Sequence, residues 1–262
     1  MMRALYTAAT GMQAQQFNID TISNNLANVS TTGFRQNQAR FQDLIYQTLR
    51  APGTPVGPSV VPAGQDVGLG VKVGSSAKLF TQGVLQQTSN PLDIAIEGEG
   101  FFQIVKPDGT IAYTRAGNFN LDNNGSIVTA DGYFLSPQIT VPQNATQLQV
   151  SQQGVVTVLI PGQQTPQQIG QINLVRFVNP AGLQPDGQTN FLETGASGAP
   201  TTSQPGLNGA GTLQGGYLEQ SNVSVVTEMV NLITAQRAYE ANSKAITTAD
   251  SMLSTAVQMK QG

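Results

Sequence analysis

Apolar and small residues recur at alternating steps of three and four near both ends of this chain, and the residues between follow a different rule. Leu5, Ala8, Met12, Gln15, Ile19, Ile22, Leu26 and Val29 form a seam interrupted only by Gln15, the spacing that lines up one stripe of a helix. A helix from Leu5 to Val29 is roughly 38 Å long, and Thr31-Thr32-Gly33 supplies its stop. A second seam runs through Val225, Glu228, Leu232, Ala235, Tyr239, Asn242, Ile246, Ala249, Leu253 and Ala256, with Ser221 and Asn222 as N-cap candidates. It has room for a helix of roughly 52 Å. Stripes this narrow cannot be satisfied by the helix that carries them. They meet either as an intrachain pair packed on the central domain or as an interchain layer in an assembly. The long, compositionally different stretch between them favours the interchain layer.

The middle, from Gly64 to Gly216, reads as strands and turns. Ile94-Ala95-Ile96, Phe101 to Lys106, Ile111 to Thr114, Ile127 to Thr129, Tyr133 to Leu135, Val155 to Ile160 and Gln171 to Val178 are short apolar or β-branched runs. Pro107-Asp108-Gly109, Asn123-Asn124-Gly125 and Asp131-Gly132 separate them as hairpin signals. Gly195 to Gly216 is turn-rich and expected to be a loop. The fold class expected is a mainly β central module between long N- and C-terminal α-helices.

Arg50 to Gly64 stands apart, with four prolines and three glycines. That composition disfavours both helix and central strand, so an extended Pro-rich arm is expected. Four segments follow: 1–45 as the N-terminal half of a helical core, 46–64 as the arm, 65–216 as an all-β domain, and 217–262 as the C-terminal half of the core.

The chemistry available is narrow. Of 262 residues none is Cys, His or Trp, which leaves no imidazole base, thiolate nucleophile, disulfide or ordinary zinc site. Charged residues are 10% of the chain and the net charge is −3, against a basic nucleic-acid footprint. No apolar run is long enough to span a bilayer, and Met1 to Gln16 lacks the apolar core of a cleaved signal. Glu97 and Glu99 share one strand face and could in principle act as paired carboxylates, but Gly98 and Gly100 interrupt that strand and a solvated edge fits better. Asp122-Asn123-Asn124-Gly125-Ser126 has its glycine at the fourth place and Tyr133 at the twelfth, where a calcium loop needs glycine at the sixth and Glu at the twelfth. It reads as a hairpin turn. Gly68, Gly70 and Gly74 miss the dinucleotide spacing. No enzyme, cofactor or metal is expected. A glycan-binding β module is the alternative from a different class, though 16 Phe and Tyr without Trp is a thin supply of stacking platforms.

Ser23 to Arg35, SNNLANVSTTGFR, resembles the N-terminal signature of the flagellar rod and hook axial proteins. Gln220 to Leu253, including Ala235-Gln236-Arg237-Ala238-Tyr239-Glu240, is similar to the family's C-terminal helix. Gly100-Phe101-Phe102, Pro107-Asp108-Gly109, Tyr113-Thr114-Arg115 and Ser197-Gly198-Ala199-Pro200 match within the middle, so the resemblance covers essentially the whole chain. Its length and the prolyl insertion after Phe41 to Gln47 resemble the distal-rod branch, with the proximal rod as the nearest alternative.

The resemblance implies a structural subunit exported by the flagellar type III apparatus without a cleaved signal. It implies assembly with itself, in line with proximal rod and hook proteins, into a rigid hollow shaft crossing the periplasm inside ring proteins that act as a bushing. In that shaft Leu5, Met12, Ile19, Ile22, Leu26 and Asn28 would face Leu232, Tyr239, Ile246 and Leu253 in a coiled-coil core, each large side chain contributing roughly 1.5–3 kcal/mol gross. Arg50, Pro52, Pro55, Pro58 and Pro62 would lie between subunits.

Overall fold

A computed structural model describes residues 2–53, 55–56, 59–60, 62–162 and 165–261. Two long helices, α1 (Met2–Ala27) and α2 (Val225–Gln261), bracket in sequence a strand-rich middle that forms no closed barrel among the described residues. Neither helix is long and apolar enough to cross a membrane. α1 stops two residues short of the expected Val29. The Thr31 amide bonds Asn28 O at 3.1 Å, the Phe34 amide bonds Thr31 O at 3.2 Å, and Gly33 sits at φ +70°, a turn that only glycine enters without strain. α2 is capped by Ser224 rather than by the expected Ser221 or Asn222. Ser224 O accepts the Glu228 amide at 2.9 Å and its hydroxyl faces the Thr227 amide at 3.5 Å. Ser221 instead holds the Val223 amide, and Asn222 is spent on other backbone groups.

The chain divides into two compact units. The first comprises Met1–Leu26, Asn37–Ala77 and Ser224–Gly262. Besides the helices it holds the strand Asn37–Asp43 paired with Val71–Lys78. It also holds a ribbon in which Tyr46–Arg50 runs antiparallel to Gln65–Gly68, with Tyr46 opposite Gly68. Towards the tip Pro55–Val56 pairs with Ser59–Val60. The described stretches of the prolyl segment are thus extended and paired antiparallel. A two-stranded ribbon consists only of edges, so proline's missing N–H leaves no central ladder bond empty.

The second unit comprises Ala27–Gln36 and Lys78–Val223. Its sheet is organised around Phe101–Val105, which pairs Ile111–Thr114 along one side and both Phe134–Ser136 and Leu174–Arg176 along the other. Ala112 and Leu135 both oppose Ile104, and Leu174 opposes Phe102. Successive side chains on a strand face opposite ways, so Phe101 and Phe102 serve two cores. Phe102 joins Ile94, Ile96, Phe119, Leu135 and Leu213, its ring 5.2 Å from Phe119. Phe101 joins Tyr113, Phe177 and Phe191, with Tyr113 and Phe177 4.8 Å apart edge to face. A three-stranded sheet, Gln147–Val150, Val155–Leu159 and Gln167–Gln171, packs Val156 and Val158 into the Phe102 core.

All three hairpin signals form turns, Gly109 bonding Lys106 O, Gly125 bonding Asp122 O and Gly132 bonding Thr129 O at 2.8–2.9 Å. Two expectations need correction. Gln171 to Val178 is not one strand: the Ile172 amide bonds Gly154 O at 2.8 Å, and the chain passes from one sheet to another before Leu174–Arg176. Gly195 to Gly216 is not wholly loop, since Thr201–Ser203 and Thr212–Gly215 are strands and Leu213 is buried in the core. At Gly211, within that stretch, a Cβ would run into Glu97 O.

Candidate assembly interface

The expected interface positions on the helices are largely engaged within the chain. Ile22 is buried, Leu5, Met12, Ile19, Leu26, Asn28, Leu232, Ile246 and Leu253 are half-buried, and Tyr239 is exposed at its margin. α1 and α2 touch where Gly11 lies against the Asn242 carboxamide, and Ala8, Ala14, Ala235 and Ala249 are buried. Small residues at such positions bring helix backbones close together.

A second stripe on α2 is exposed among the described residues. Val226 is 75% exposed, Met229 53%, Val230 57% and Ile233 58%, at the i, i+3, i+4, i+7 spacing of one helix face. Met252, Val257 and Met259 further along α2, and Met2 and Tyr6 on α1, are also exposed. The heptad seam drew the eye from this face, although the doublets Val225-Val226 and Met229-Val230 mark it. A globular domain seldom leaves a contiguous apolar face of this kind to water.

Of the expected arm positions, Arg50, Pro52 and Pro62 are exposed, Pro55 opens the tip strand, and Pro58 lies outside the described residues. Phe41, Ile45, Tyr46 and Leu49 at the base of the ribbon are exposed apolar residues.

In the second unit the residues that follow α1 and those that precede α2 converge on Glu219, which sequence reasoning did not single out. Glu219 and Arg35 have fully buried side chains, 2.7 Å apart between Oε1 and Nη2. Arg115 Nη1 donates to Oε2 at 3.1 Å and the Gly83 amide to Oε1 at 2.9 Å. Burial pushes the Arg115 guanidinium below its ordinary pKa; Glu219 opposes that shift and Arg35 adds to it. The signal was a carboxylate in the otherwise apolar run Tyr217-Leu218-Glu219 of a chain poor in charge.

The carboxylates considered for chemistry do not converge. Glu97 accepts from Gln214 Nε2 and Glu99 from Arg176 Nη2, each at 2.6 Å. Asp122 accepts the Asn123 amide at 2.7 Å, inside the hairpin turn. Among the described residues no group of three acidic side chains could hold a metal ion.

Residues 5–35 match the family described as flagella basal body rod protein, residues 95–158 the flagellar hook protein FlgE/F/G D1 domain, and residues 214–259 the flagellar basal body rod FlgEFG protein C-terminal region. The flagellar basal-body rod protein FlgG of Caulobacter vibrioides is 51% identical over 261 residues, 99% of this chain and 100% of its own. The protein of that name from Borreliella burgdorferi is 50% identical over 264 residues, covering 100% of both chains. That of Buchnera aphidicola from Acyrthosiphon pisum is 48% identical over 260 residues, 99% of this chain and 100% of its own.

Proposed function

This chain belongs to the flagellar basal-body rod protein family, and from that premise we propose that it is the distal-rod subunit, polymerising into a rigid hollow shaft. The family is structural, and the chain is not an enzyme. The observation that carries the proposal is the uncovered stripe Val226, Met229, Val230 and Ile233 on α2. Burying one such side chain gains roughly 1.5–3 kcal/mol gross, and only another copy of the chain repeats that gain along a filament.

In the assembled shaft the terminal helices of neighbouring copies form a coiled-coil core. The seam Leu5, Met12, Ile19, Ile22, Leu26, Asn28, Leu232, Tyr239, Ile246 and Leu253 lines it, and the outer α2 stripe closes against the next subunit. Residues 1–45 and 217–262 supply that core, 65–216 the outer β layer, and the prolyl arm 46–64, with the strand Gln65–Gly68 that pairs with it, lies between subunits and stiffens them. The shaft crosses the periplasm within its rings, joins proximal rod to hook, passes later subunits through its lumen and transmits torque. Its subunits reach it through the flagellar type III apparatus.

Concentration-dependent sedimentation tests the reading. The wild-type chain is expected to form pelletable polymer, and Val226→Asp with Ile233→Asp to remain in the supernatant at the same concentration. Equal pelleting of wild type and double variant would remove the α2 stripe from the interface.

A further inference from the structure

The stretch that leaves α1 and the stretch that enters α2 are held together inside the second unit by a small set of buried groups. The ion pair Arg35–Glu219 joins residues 184 positions apart. The Gly33 amide donates to the Glu219 carbonyl at 2.9 Å, so backbone and side chain of Glu219 both hold the run 33–35. Asn222 adds a second tie: its Oδ1 accepts the Gln36 amide at 2.7 Å, and its Nδ2 donates to Leu79 O at 2.9 Å and Thr81 O at 3.1 Å. The Leu79 amide in turn reaches Gln36 O at 2.9 Å, and the Gln220 amide reaches Val84 O at 2.9 Å. The segment 79–84 is thus a shared floor for both runs.

Among the described residues Glu219 is the one carboxylate hydrogen-bonded to this centre, against two guanidinium groups. Its carboxylate accepts three donors, from Arg35, Arg115 and Gly83, each on a different stretch of chain. Arg115 is fixed in turn by the Gly98 carbonyl and lies 5.7 Å over the Phe101 ring. Removing Glu219 leaves two buried guanidinium groups without a counter-charge, and removing Arg35 strips the Glu219 carboxylate of its bond to the run 33–35.

We propose that Glu219 is a positioning residue for assembly: it couples the root of α1 to the root of α2, so that neither is fixed unless both are in place. Its bearing on assembly rests on the polymer reading above; the coupling itself does not.

The test is amide hydrogen exchange on the unassembled full-length chain, with sedimentation alongside. In Glu219→Gln the amides of Gly33, Gln36, Gly83 and Gln220 are expected to exchange about 100-fold faster or more, and by a larger factor than the amides of Ile104 and Leu135. The decisive arm is Arg35→Met, changed on one root and read at Gln220 on the other, where the same acceleration is expected. Should these variants lose the fold, Arg35→Lys keeps the charge but not the fork and is expected to accelerate Gln220 about tenfold. Acceleration confined to residues 31–36, or equal acceleration of every amide in Arg35→Lys, would overturn the coupling. Coupled roots with undiminished polymer would overturn the role in assembly. Failure of the wild type to polymerise would count against the polymer reading, leaving exchange alone to decide the coupling.

Discussion

The Asn25 carboxamide closes a two-bond ring with the backbone of Asn37: Nδ2 donates to Asn37 O and Oδ1 accepts the Asn37 amide, both at 2.8 Å. Asn25 is buried near the end of α1, and Asn37 opens the strand that follows. A side chain thereby stands in for a neighbouring strand and fixes where that strand begins. Asn25→Ala is expected to cost about 1–3 kcal/mol, the usual penalty of stranding buried backbone groups. Asn25→Asp keeps the acceptor, loses the donor and sets a carboxylate against a carbonyl, so it should be no milder. Urea unfolding and exchange at the Asn37 amide check both, and an Asp variant as stable as wild type would contradict the assignment.

Two Arg–Glu pairs should behave differently on substitution. Glu219→Gln is expected to destabilise by about 3–5 kcal/mol, because Arg35 and Arg115 remain buried without a counter-charge. Glu99→Gln, at the exposed pair with Arg176, should change stability by no more than about 1 kcal/mol. Urea midpoints followed by far-UV circular dichroism separate the two. Similar losses at both sites would contradict the contrast.

Two glycines of the same turn-rich stretch should also differ. A Cβ on Gly211 would drive into the Glu97 carbonyl and lie 3.0 Å from Gly98 C, whereas Gly195 has open space around it. Gly211→Ala should cost about 1–3 kcal/mol or more through forced backbone movement, and Gly195→Ala should fall within about 0.5 kcal/mol of wild type. Thermal unfolding of the two variants side by side reads the difference.

Lys78 is half-buried, 5.1 Å over the Phe34 ring, and burial pulls its pKa below the ordinary 10.5. Between that lowered value and 10.5 the unfolded chain holds more protons than the folded one, so this group makes stability rise with pH. Measured from neutral to alkaline pH, wild type is expected to gain on Lys78→Met as pH increases through that window. Parallel curves would show that Lys78 is not desolvated in the folded state.

What the sequence made legible was whatever is decided locally. The helical seams, the Pro107-Asp108-Gly109 turn and the strand Phe101–Val105 depend on periodicity or on a few adjacent residues, and they appear where expected. What escaped depends on long-range meetings. Nothing near Ile172 shows that its amide turns towards Gly154, and nothing near Gly211 shows that Glu97 lies against it. Arg35 and Arg115 each stood in a noted run and Glu219 one residue before another, but their convergence depends on the folding of the second unit. The α2 stripe escaped for another reason: the three-and-four spacing picked out one narrow stripe, and Val226, Met229, Val230 and Ile233 lie on a different face of the same helix.

The most direct test of the central claim exploits the absence of cysteine from the natural chain. A single Ile233→Cys substitution, on the exposed α2 stripe, gives one thiol whose rate of maleimide labelling reports that face alone. Fast labelling is expected in the dilute chain, and protection by at least about tenfold in sedimented tubes verified by electron microscopy. Tubes in which this thiol labels as fast as in the dilute chain, or the absence of tubes at any concentration, would contradict the account.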